Sequence, residues 1–431
     1  MAKPKNLGFN SELLLFHPPV TNVGVEQIQW LHIAPISQIT EESAIDFVIP
    51  GSGSQYLDLR RSRLYVKAKI VKEDGSDCTS DDTVSPVNLW MSSLFSQVNV
   101  YLQQTLVSSS GTNNSYKSYL EVLLNYGIDA KESQCQTQLY YKDSAGAMDE
   151  TDPLGSPINQ GLFQRHAIAK NSAIVDMEGP IYADIFEINR YLINGVEVRV
   201  KLFPSKSPFH LMGKTEGKYK TIIQQVILKA CKVSVSPDVI AAHGETIKKT
   251  PAIYPYTRTN VKSFAVAKGQ YTVNLTDMFQ GEVPTRVVIG FVGASAYSGD
   301  YKKNPYNFQT YKLEYLSVDV DGQSVPSRAL QPNFTSNNYI EAYQNLFSGL
   351  GKDSLDQGLF CSRSDFPKGY SLYVFDLKSE LADSSHQASQ RHGNLSMEAR
   401  FADPLPETIN VIVYANFPAQ LKIDESRAIS F

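Results

Sequence analysis

Hydrophobic and polar residues alternate along much of the chain from about residue 42 onward. The segments 64–70, 98–103 and 196–202 each carry an aliphatic residue at every second position, with mostly polar residues between them. A period of two with one polar face is typical of an antiparallel strand that packs on one side only. The same alternation recurs in the second half of the chain, in segments 271–275, 287–291, 397–401 and 409–413. The pattern predicts a protein built mainly from β-strands.

Two segments are predicted as helices, NNSYKSYLEVLLNYG (113–127) and NNYIEAYQNLFSGLG (337–351). Each opens with Asn, a favourable N-cap, and ends with Gly, the residue that commonly follows a helix. The dipeptide Asp321-Gly322 lies between Val320 and Val325. It predicts a hairpin turn, because both positions of a tight hairpin need positive φ.

These elements recur in the same order. The two helices are 224 residues apart, and the strands that begin at Arg63 and Arg286 are 223 residues apart. Further pairs of similar segments follow at smaller offsets, namely 179–188 with 369–377, 195–203 with 394–401, and 226–235 with 409–417. An internal repeat decides the architecture. Each copy has room for the eight strands of a jelly roll, a fold of capsid and lectin domains.

We therefore predict an all-β fold of two tandem eight-stranded antiparallel jelly rolls with short helices in their loops. The predicted parts are an N-terminal arm (1–40), a first jelly roll (41–240), a connector (241–254), and a second jelly roll with the C-terminal tail (255–431). Long loops such as 291–310 are expected to form towers or contacts between subunits. Tyr and Phe residues on loops are the expected anchors of those contacts.

Both ends of the chain are expected to make contacts. The arm contains SELLLFHPPVTNV, in which Pro18 and Pro19 disfavour both a helix and a central strand. Leu14, Phe16 and Trp30 are too apolar for a free tail. They are expected to dock on the base of this subunit or on a neighbour. The tail LKIDESRAISF is likewise expected to reach under a neighbouring subunit.

Charge and cysteine content narrow the possible partners. The net charge is −4, and only Lys3 and Lys5 mark the N-terminus as basic, so no direct nucleic-acid binding is expected. Charged residues make up 19% and aromatic residues 11%, which suits strands and surfaces buried between subunits. The cysteines lie far apart in sequence and are expected to be reduced thiols: Cys78, Cys135, Cys231 and Cys361. No signal peptide and no membrane span are expected.

No catalytic, cofactor-binding or metal-binding residues are predicted. His386 and His392 are close in sequence, but they lie in a polar stretch that is typical of a solvated loop. The glycine-rich segment 50–56 is interpreted as a turn between strands, and Gly351 within GLGKDS as a helix cap. The acidic segment 148–153 is interpreted as an exposed loop.

From the residues alone, a protein of paired jelly rolls could also bind carbohydrate or act as a hydrolytic enzyme. A carbohydrate-binding protein would need an exposed Trp in a cleft, whereas the only candidates, Trp30 and Trp90, stand in apolar contexts. A hydrolytic enzyme would need a cluster of carboxylates or a metal site in one cleft.

An ordered series of segments resembles the double jelly-roll major capsid proteins of Polinton (Maverick) elements and adintoviruses, in the adenovirus-like lineage. The resemblance is dense over roughly the first 240 residues and is carried by the order of the segments rather than by a short motif. The segments are SELLLFHPPVTNV (11–23), IDFVIPGSGSQYLDLRRSRLYVKAKIV (45–71), VNLWMSSLFSQVNVYLQQTLV (87–107) and SYLEVLLNYGIDAKESQCQTQLYYKD (118–143).

The resemblance implies a non-enzymatic major capsid protein that forms homotrimers. Each trimer would present six jelly rolls as a pseudo-hexagonal capsomer, the hexon. Such capsomers tile an icosahedral viral shell, with a penton or minor capsid protein as a further partner. The protein is then expected in the virion after assembly inside the host cell, in the nucleus. No active-site residues come with this resemblance.

Overall fold

The computed structural model describes residues 22–41, 43–214, 219–279, 281–354, 358–378 and 389–431. Residues 1–21 of the predicted arm and His386 lie outside the described residues.

Strands make up most of the regular secondary structure in the described chain. The first half contains β1 (Val25–Ile33), β2 (Ile45–Ile49), β3 (Gln55–Lys72), β4 (Ser85–Pro86), β5 (Phe95–Leu102), β6 (Thr105–Ser109), β7 (Val175–Gly179), β8 (Val198–Pro204), β9 (Leu211–Met212) and β10 (Tyr219–Val235). The second half contains β11 (Ala252–Val266), β12 (Thr272–Leu275), β13 (Arg286–Gly293), β14 (Phe308–Gln309), β15 (Leu313–Val320), β16 (Gln323–Ser324), β17 (Lys368–Gly369), β18 (Leu372–Asp376), β19 (Leu395–Phe401), β20 (Ile409–Ile423) and β21 (Ile429–Ser430).

The helices are short and lie between strands. The α-helices are α1 (Trp90–Ser93), α2 (Asn114–Asn125), α3 (Ile128–Lys131), α4 (Gln160–Ala169), α5 (Ser207–His210), α6 (Pro237–Ile247), α7 (Ala294–Ser298) and α8 (Ile340–Ser348). Short 3₁₀ turns span Gly111–Asn113, Gln134–Gln138, Lys170–Ser172 and Asp184–Glu187.

The two halves share one sheet topology. In the first half the sheets run β1-β10-β3-β7 and β2-β8-β5-β6, and in the second half β11-β20-β13-β18 and β12-β19-β15-β16. Without β4, β9, β14, β17 and β21, each half contains eight strands. In both halves, strands one, eight, three and six form one sheet and strands two, seven, four and five form the other. All these pairings are antiparallel. This order is a jelly roll, and the predicted fold of two tandem jelly rolls is confirmed.

The alternation in the sequence explains how the strands are buried. In β3, Leu64, Val66 and Ala68 are at most 4% exposed, while the intervening Tyr65 and Lys67 are half-buried. Side chains of successive strand residues point to opposite faces, so one face joins the core and the other meets solvent.

The predicted hairpin is confirmed. Asp321 and Gly322 have φ of 50° and 80°, and Val320 pairs with Gln323 across them. Segment 50–56 connects β2 to β3, so its interpretation as a turn is also confirmed.

Three elements differ from the sequence expectation. Residues 25–33, expected in the arm, form β1, which pairs along β10. Residues 237–247 form helix α6 across the start of the expected connector, and α4 is a helix that the sequence did not reveal. The domain boundaries at 41, 241 and 255 stay predictions.

Both predicted helices exist as α2 and α8, but their N-caps differ from the expectation. Asn113 makes no side-chain bond to the α2 backbone. Its amide instead donates to the Val261 carbonyl at 2.9 Å and accepts from the Tyr297 hydroxyl at 2.9 Å. Helix α8 begins at Ile340, with Tyr339 as its N-cap. A tertiary partner outcompetes the local cap for Asn113, because the second roll lies against this end of α2.

Each hydrophobic core takes residues from both rolls. Tyr116, Leu120 and Leu123 of α2 belong to the same buried cluster as the sheet residues of the second roll. Tyr256 of β11 and Leu421 of β20 belong to the core of the first roll. The two rolls therefore fold against each other as one block.

Candidate assembly surfaces

A buried aromatic seam joins the two rolls. It consists of Tyr116 and Tyr119 on α2 with Tyr306 and Phe308 from the second roll, all at most 1% exposed. The rings of Tyr119 and Tyr306 stack with centroids 4.1 Å apart. Tyr116 meets Tyr306 edge-on at 5.9 Å. Stacked and edge-on pairs are favourable beyond the area they bury, so the aromatic seam fixes the relative position of the rolls.

The segment that supplies Tyr306 belongs to the stretch 291–310, whose expected tower or contacts between subunits stay a prediction. Within one chain, this segment packs on the first roll. The Tyr301 hydroxyl donates to the Tyr219 carbonyl at 2.6 Å, and the backbone N–H of Asn304 donates to the Asp149 carboxylate at 2.9 Å. Tyr306 and Phe308 are fully buried within the chain, so neither ring can anchor a neighbouring subunit.

An ion pair with no solvent exposure lies beside the aromatic seam. Arg165 on α4 donates to Asp143 at 2.6 Å and to the carbonyls of Pro86 and Tyr141 at 2.9 and 2.7 Å. The second carboxylate oxygen of Asp143 accepts from the side-chain amide of Asn304 at 3.2 Å. A buried charge is tolerated only when it is paired and hydrogen-bonded, and both conditions hold here.

A second group of charges is buried on the other side of α2. Lys117 pairs with Asp184, and its ammonium lies 3.9 Å from Glu121. Burial raises the pKa of Glu121 well above its usual value, although Lys117 acts in the opposite direction. Burial would lower the pKa of Lys117, but Asp184 and Glu121 outweigh it and the pKa is raised. Burial therefore favours the neutral form of Glu121.

The C-terminal end of α2 binds two ammonium groups. Lys131 donates to the Leu123 carbonyl at 2.8 Å, and Lys352 from the second roll donates to the carbonyls of Leu124 and Asn125 at 2.8 and 3.0 Å. Cations are favourable there, because the last helical carbonyls have no partner within the helix. Burial, with a smaller contribution from Lys352, lowers the pKa of Lys131 to about 7. Lys352 gives the rolls a further contact.

The C-terminal tail folds back on its own chain, and its expected contact under a neighbouring subunit stays a prediction. Strand β21 pairs with β20, and the Arg427 guanidinium donates to the Asn194 carbonyl of the first roll at 2.8 Å. The tail therefore contributes to the joint between the rolls.

The outward surface carries apolar side chains at several places. Trp30 and Leu31 on β1 are 51% and 41% exposed, and within the described ranges β1 pairs with β10 along one edge only. An open edge strand can pair with a further strand. The other strongly exposed large apolar residues of the first roll are Ile36, Leu106, Ile128, Leu154, Ile158, Ile168, Ile174 and Tyr191.

A polar cleft of about 1060 Å³ opens on the first roll. Arg60, Arg61 and Arg190 line it together with Asp58 and Glu178. Arg61 lies 3.5 Å from Asp58 and remains largely exposed. Mixed exposed charges of this kind suit a reversible polar contact, because exposed ion pairs contribute little each.

The residues considered for chemistry do not come together. Trp90 is fully buried, His392 donates from Nδ1 to the Gly281 carbonyl at 2.9 Å, and in the acidic loop Asp149 and Asp152 pair with lysines. Among the described residues no group of three or more His, Cys, Asp or Glu side chains is arranged to hold a metal ion. The cysteines are free and buried. Within the described chain, no helix has the length and apolarity to cross a membrane.

Two jelly rolls of one topology, sharing cores across a buried seam, define a double jelly-roll protein. Solved structures with this fold cover the whole chain. A chain of the Sputnik virophage aligns with a TM-score of 0.65 at 12% identity, covering 100% of this chain and 94% of its own length. The Faustovirus major capsid protein aligns at 0.57 and 10% identity, covering 96% and 93%. The mavirus major capsid protein aligns at 0.52 and 14% identity, covering 100% and 94%.

Among curated proteins, the chain is similar to the Caenorhabditis elegans protein F54H12.2. The two are 24% identical over 427 residues, which cover 95% of this chain and 98% of the nematode protein. No protein-family model matches the chain.

Proposed function

We propose that this protein is a major capsid protein whose homotrimers form pseudo-hexagonal capsomers that tile an icosahedral shell. The observation that carries the proposal is the alignment over nearly the whole length of the mavirus and Faustovirus major capsid proteins. Two similar rolls fixed side by side explain how a trimer could have a hexagonal outline. Three copies around a threefold axis place six rolls in a ring, which gives a threefold object a hexagonal outline.

The joint between the rolls supports this role. A shell subunit must transmit contacts without changing shape, and a close-packed core deforms little. The aromatic seam and the hydrogen bond from Asn304 of the second roll to Asp143 of the first hold the two rolls in one orientation. A hinge between the rolls would let the hexagonal outline vary from copy to copy.

The proposed partners are further copies of this chain and a penton or minor capsid protein at the vertices. The proposed location is the virion, after assembly in the host cell nucleus, and the role proposed is structural rather than enzymatic. We assign the protein to the Polinton or adintovirus type. The resemblance of segments 11–23, 45–71, 87–107 and 118–143 to proteins of that type supports this assignment.

Size-exclusion chromatography with light scattering, followed by negative-stain microscopy, tests the proposal. The expected particle has about three times the chain mass of 47.9 kDa and a hexagonal outline, with shells at higher concentration. A protein that stays monomeric at every concentration and salt condition contradicts it. Glycan-array binding by such a monomer would favour the carbohydrate-binding alternative.

A further inference from the structure

An apolar groove of about 500 Å³ lies where α6 meets both rolls. Ile247 of α6, Ile193 of the first roll and Tyr254 of the second line it and are at most 7% exposed. Tyr191 and Ile253 also line it and are 37% and 36% exposed. An exposed apolar groove of this kind commonly marks a contact site.

The polar atoms in the groove already have partners. The Tyr56 hydroxyl lies 2.9 Å from Nδ1 of His243, and the Tyr254 hydroxyl accepts from the Ile193 amide at 3.0 Å. A ligand therefore gains little by offering hydrogen bonds to these groups. The groove is suited to aliphatic and aromatic side chains.

Helix α6 is poorly covered by the rest of the described chain. Of its eleven residues only Ile247 is buried, whereas Ala241, Ala242 and Thr246 are exposed. Isolated helices shorter than roughly 12–15 residues are marginal in water, and most helical stability in proteins comes from packing. A segment that covers α6 would therefore stabilise it.

The described chain begins beside this helix. The Gly24 carbonyl accepts from the amide of Ser236, the residue that precedes α6. His243 and Ile247 line the groove seven and eleven residues further on, about 10–16 Å along the helix axis. Phe16 precedes Asn22 by six residues and reaches up to about 20 Å in an extended chain. The apolar segment 13–16 (LLLF) can therefore reach the groove of its own chain.

We propose that residues 13–16 of the N-terminal arm dock in this groove of the same chain and cover α6. The chemistry matches, because three Leu and one Phe meet Ile253, Tyr191 and Ile247. The sequence between this segment and β1 contains Pro18 and Pro19, and a proline, which fixes φ near −65°, favours an extended link. Docking in this place adds a further connection between the rolls, and it does not depend on the proposed capsid function.

Cysteine cross-linking in the full-length chain tests the proposal. The native cysteines are buried, so two introduced cysteines supply the accessible thiols. Phe16→Cys with Ile253→Cys is expected to form a disulfide within one chain under mild oxidation, at least tenfold faster than a control pair. The control is Phe16→Cys with Tyr271→Cys, because Tyr271 is 56% exposed and follows the far end of β11, a strand about 45 Å long.

Two results overturn the proposal: a cross-linking rate no higher than that of the control, or disulfides that join two chains. The pair Phe16→Cys with Tyr191→Cys probes a second exposed residue of the groove, and it decides the matter if Ile253→Cys impairs folding. Cross-linking is measured within one chain and trimer formation by mass. Failure of one proposal therefore leaves the other standing.

Discussion

Tyr119 and Tyr306 stack across the boundary between the rolls, with ring centroids 4.1 Å apart and ring planes 8° apart. The Tyr119 ring lies on α2, which follows β6 in the first roll. The Tyr306 ring lies in the segment that follows β13 in the second roll. Neither ring is exposed to solvent. This contact makes two repeated folds a single unit, and several predictions test how that unit is stabilised.

Tyr119→Ala is expected to destabilise the folded chain by about 3–5 kcal/mol, because it leaves a cavity at the aromatic seam. Urea unfolding measures the effect. Tyr271→Ala is the matched control, and its 56% exposure predicts a change within about 0.5 kcal/mol. Combined with Tyr306→Ala in a double-mutant cycle, the coupling should be about 0.5–1.5 kcal/mol. Strict additivity would contradict direct stacking in solution.

Arg165→Met is expected to cost about 3–5 kcal/mol, because it leaves the Asp143 carboxylate buried without its cation. Replacing both residues, as Arg165→Met with Asp143→Leu, should recover part of the loss. The control is Lys312→Met, since Lys312 and Asp403 form a pair in which both side chains are 58% exposed. That change should cost about 0–1 kcal/mol. Equal losses of stability from Arg165→Met and Lys312→Met would show that burial does not determine the energetic contribution of an ion pair in this protein.

Glu121→Gln is expected to change how stability depends on pH. Burial raises the pKa of Glu121 well above its usual value of 4.5, so the folded chain holds this proton more tightly than the unfolded chain does. The resulting stabilisation is complete below the unfolded pKa and is lost as pH rises through the folded pKa. The amide has no proton to lose. The variant should therefore gain stability relative to the parent as pH increases.

Urea unfolding between about pH 5 and pH 9 measures this difference. Glu245→Gln is the control, because the Glu245 side chain on α6 is 75% exposed and should leave the pH profile unchanged. Parallel profiles for Glu121→Gln and the parent chain would refute the assignment.

Gly349→Ala is expected to destabilise the chain by about 1–3 kcal/mol, because the added methyl group overpacks the site. A Cβ at this position would lie 2.5 Å from the Val374 carbonyl oxygen of β18, and backbone cannot move aside as a side chain can. Gly53→Ala is the control, since nothing lies within 4 Å of its Cβ. Thermal unfolding of both variants measures the effect. A loss for Gly53→Ala as large as that for Gly349→Ala would contradict the close contact as the cause.

The strand pattern, the repeat and the Asp321-Gly322 turn were predictable from the sequence. Each depends on neighbours a few residues away: alternation sets which face of a strand is buried, and positive φ selects the turn residues. The repeated order of such local signals was enough to predict two jelly rolls. The same local view missed β1, because its residues stay largely exposed on both faces and show no clean alternation.

Only the tertiary structure decided how the rolls are joined. No pattern in residues 291–310 indicates that Tyr306 enters a seam with α2 or that Asn304 binds Asp143. These contacts bring together residues more than 150 positions apart, and their energy comes from excluding water at a surface that neither segment forms alone. The sequence therefore determined the two folds by local periodicity, whereas long-range packing determined the block that they form together.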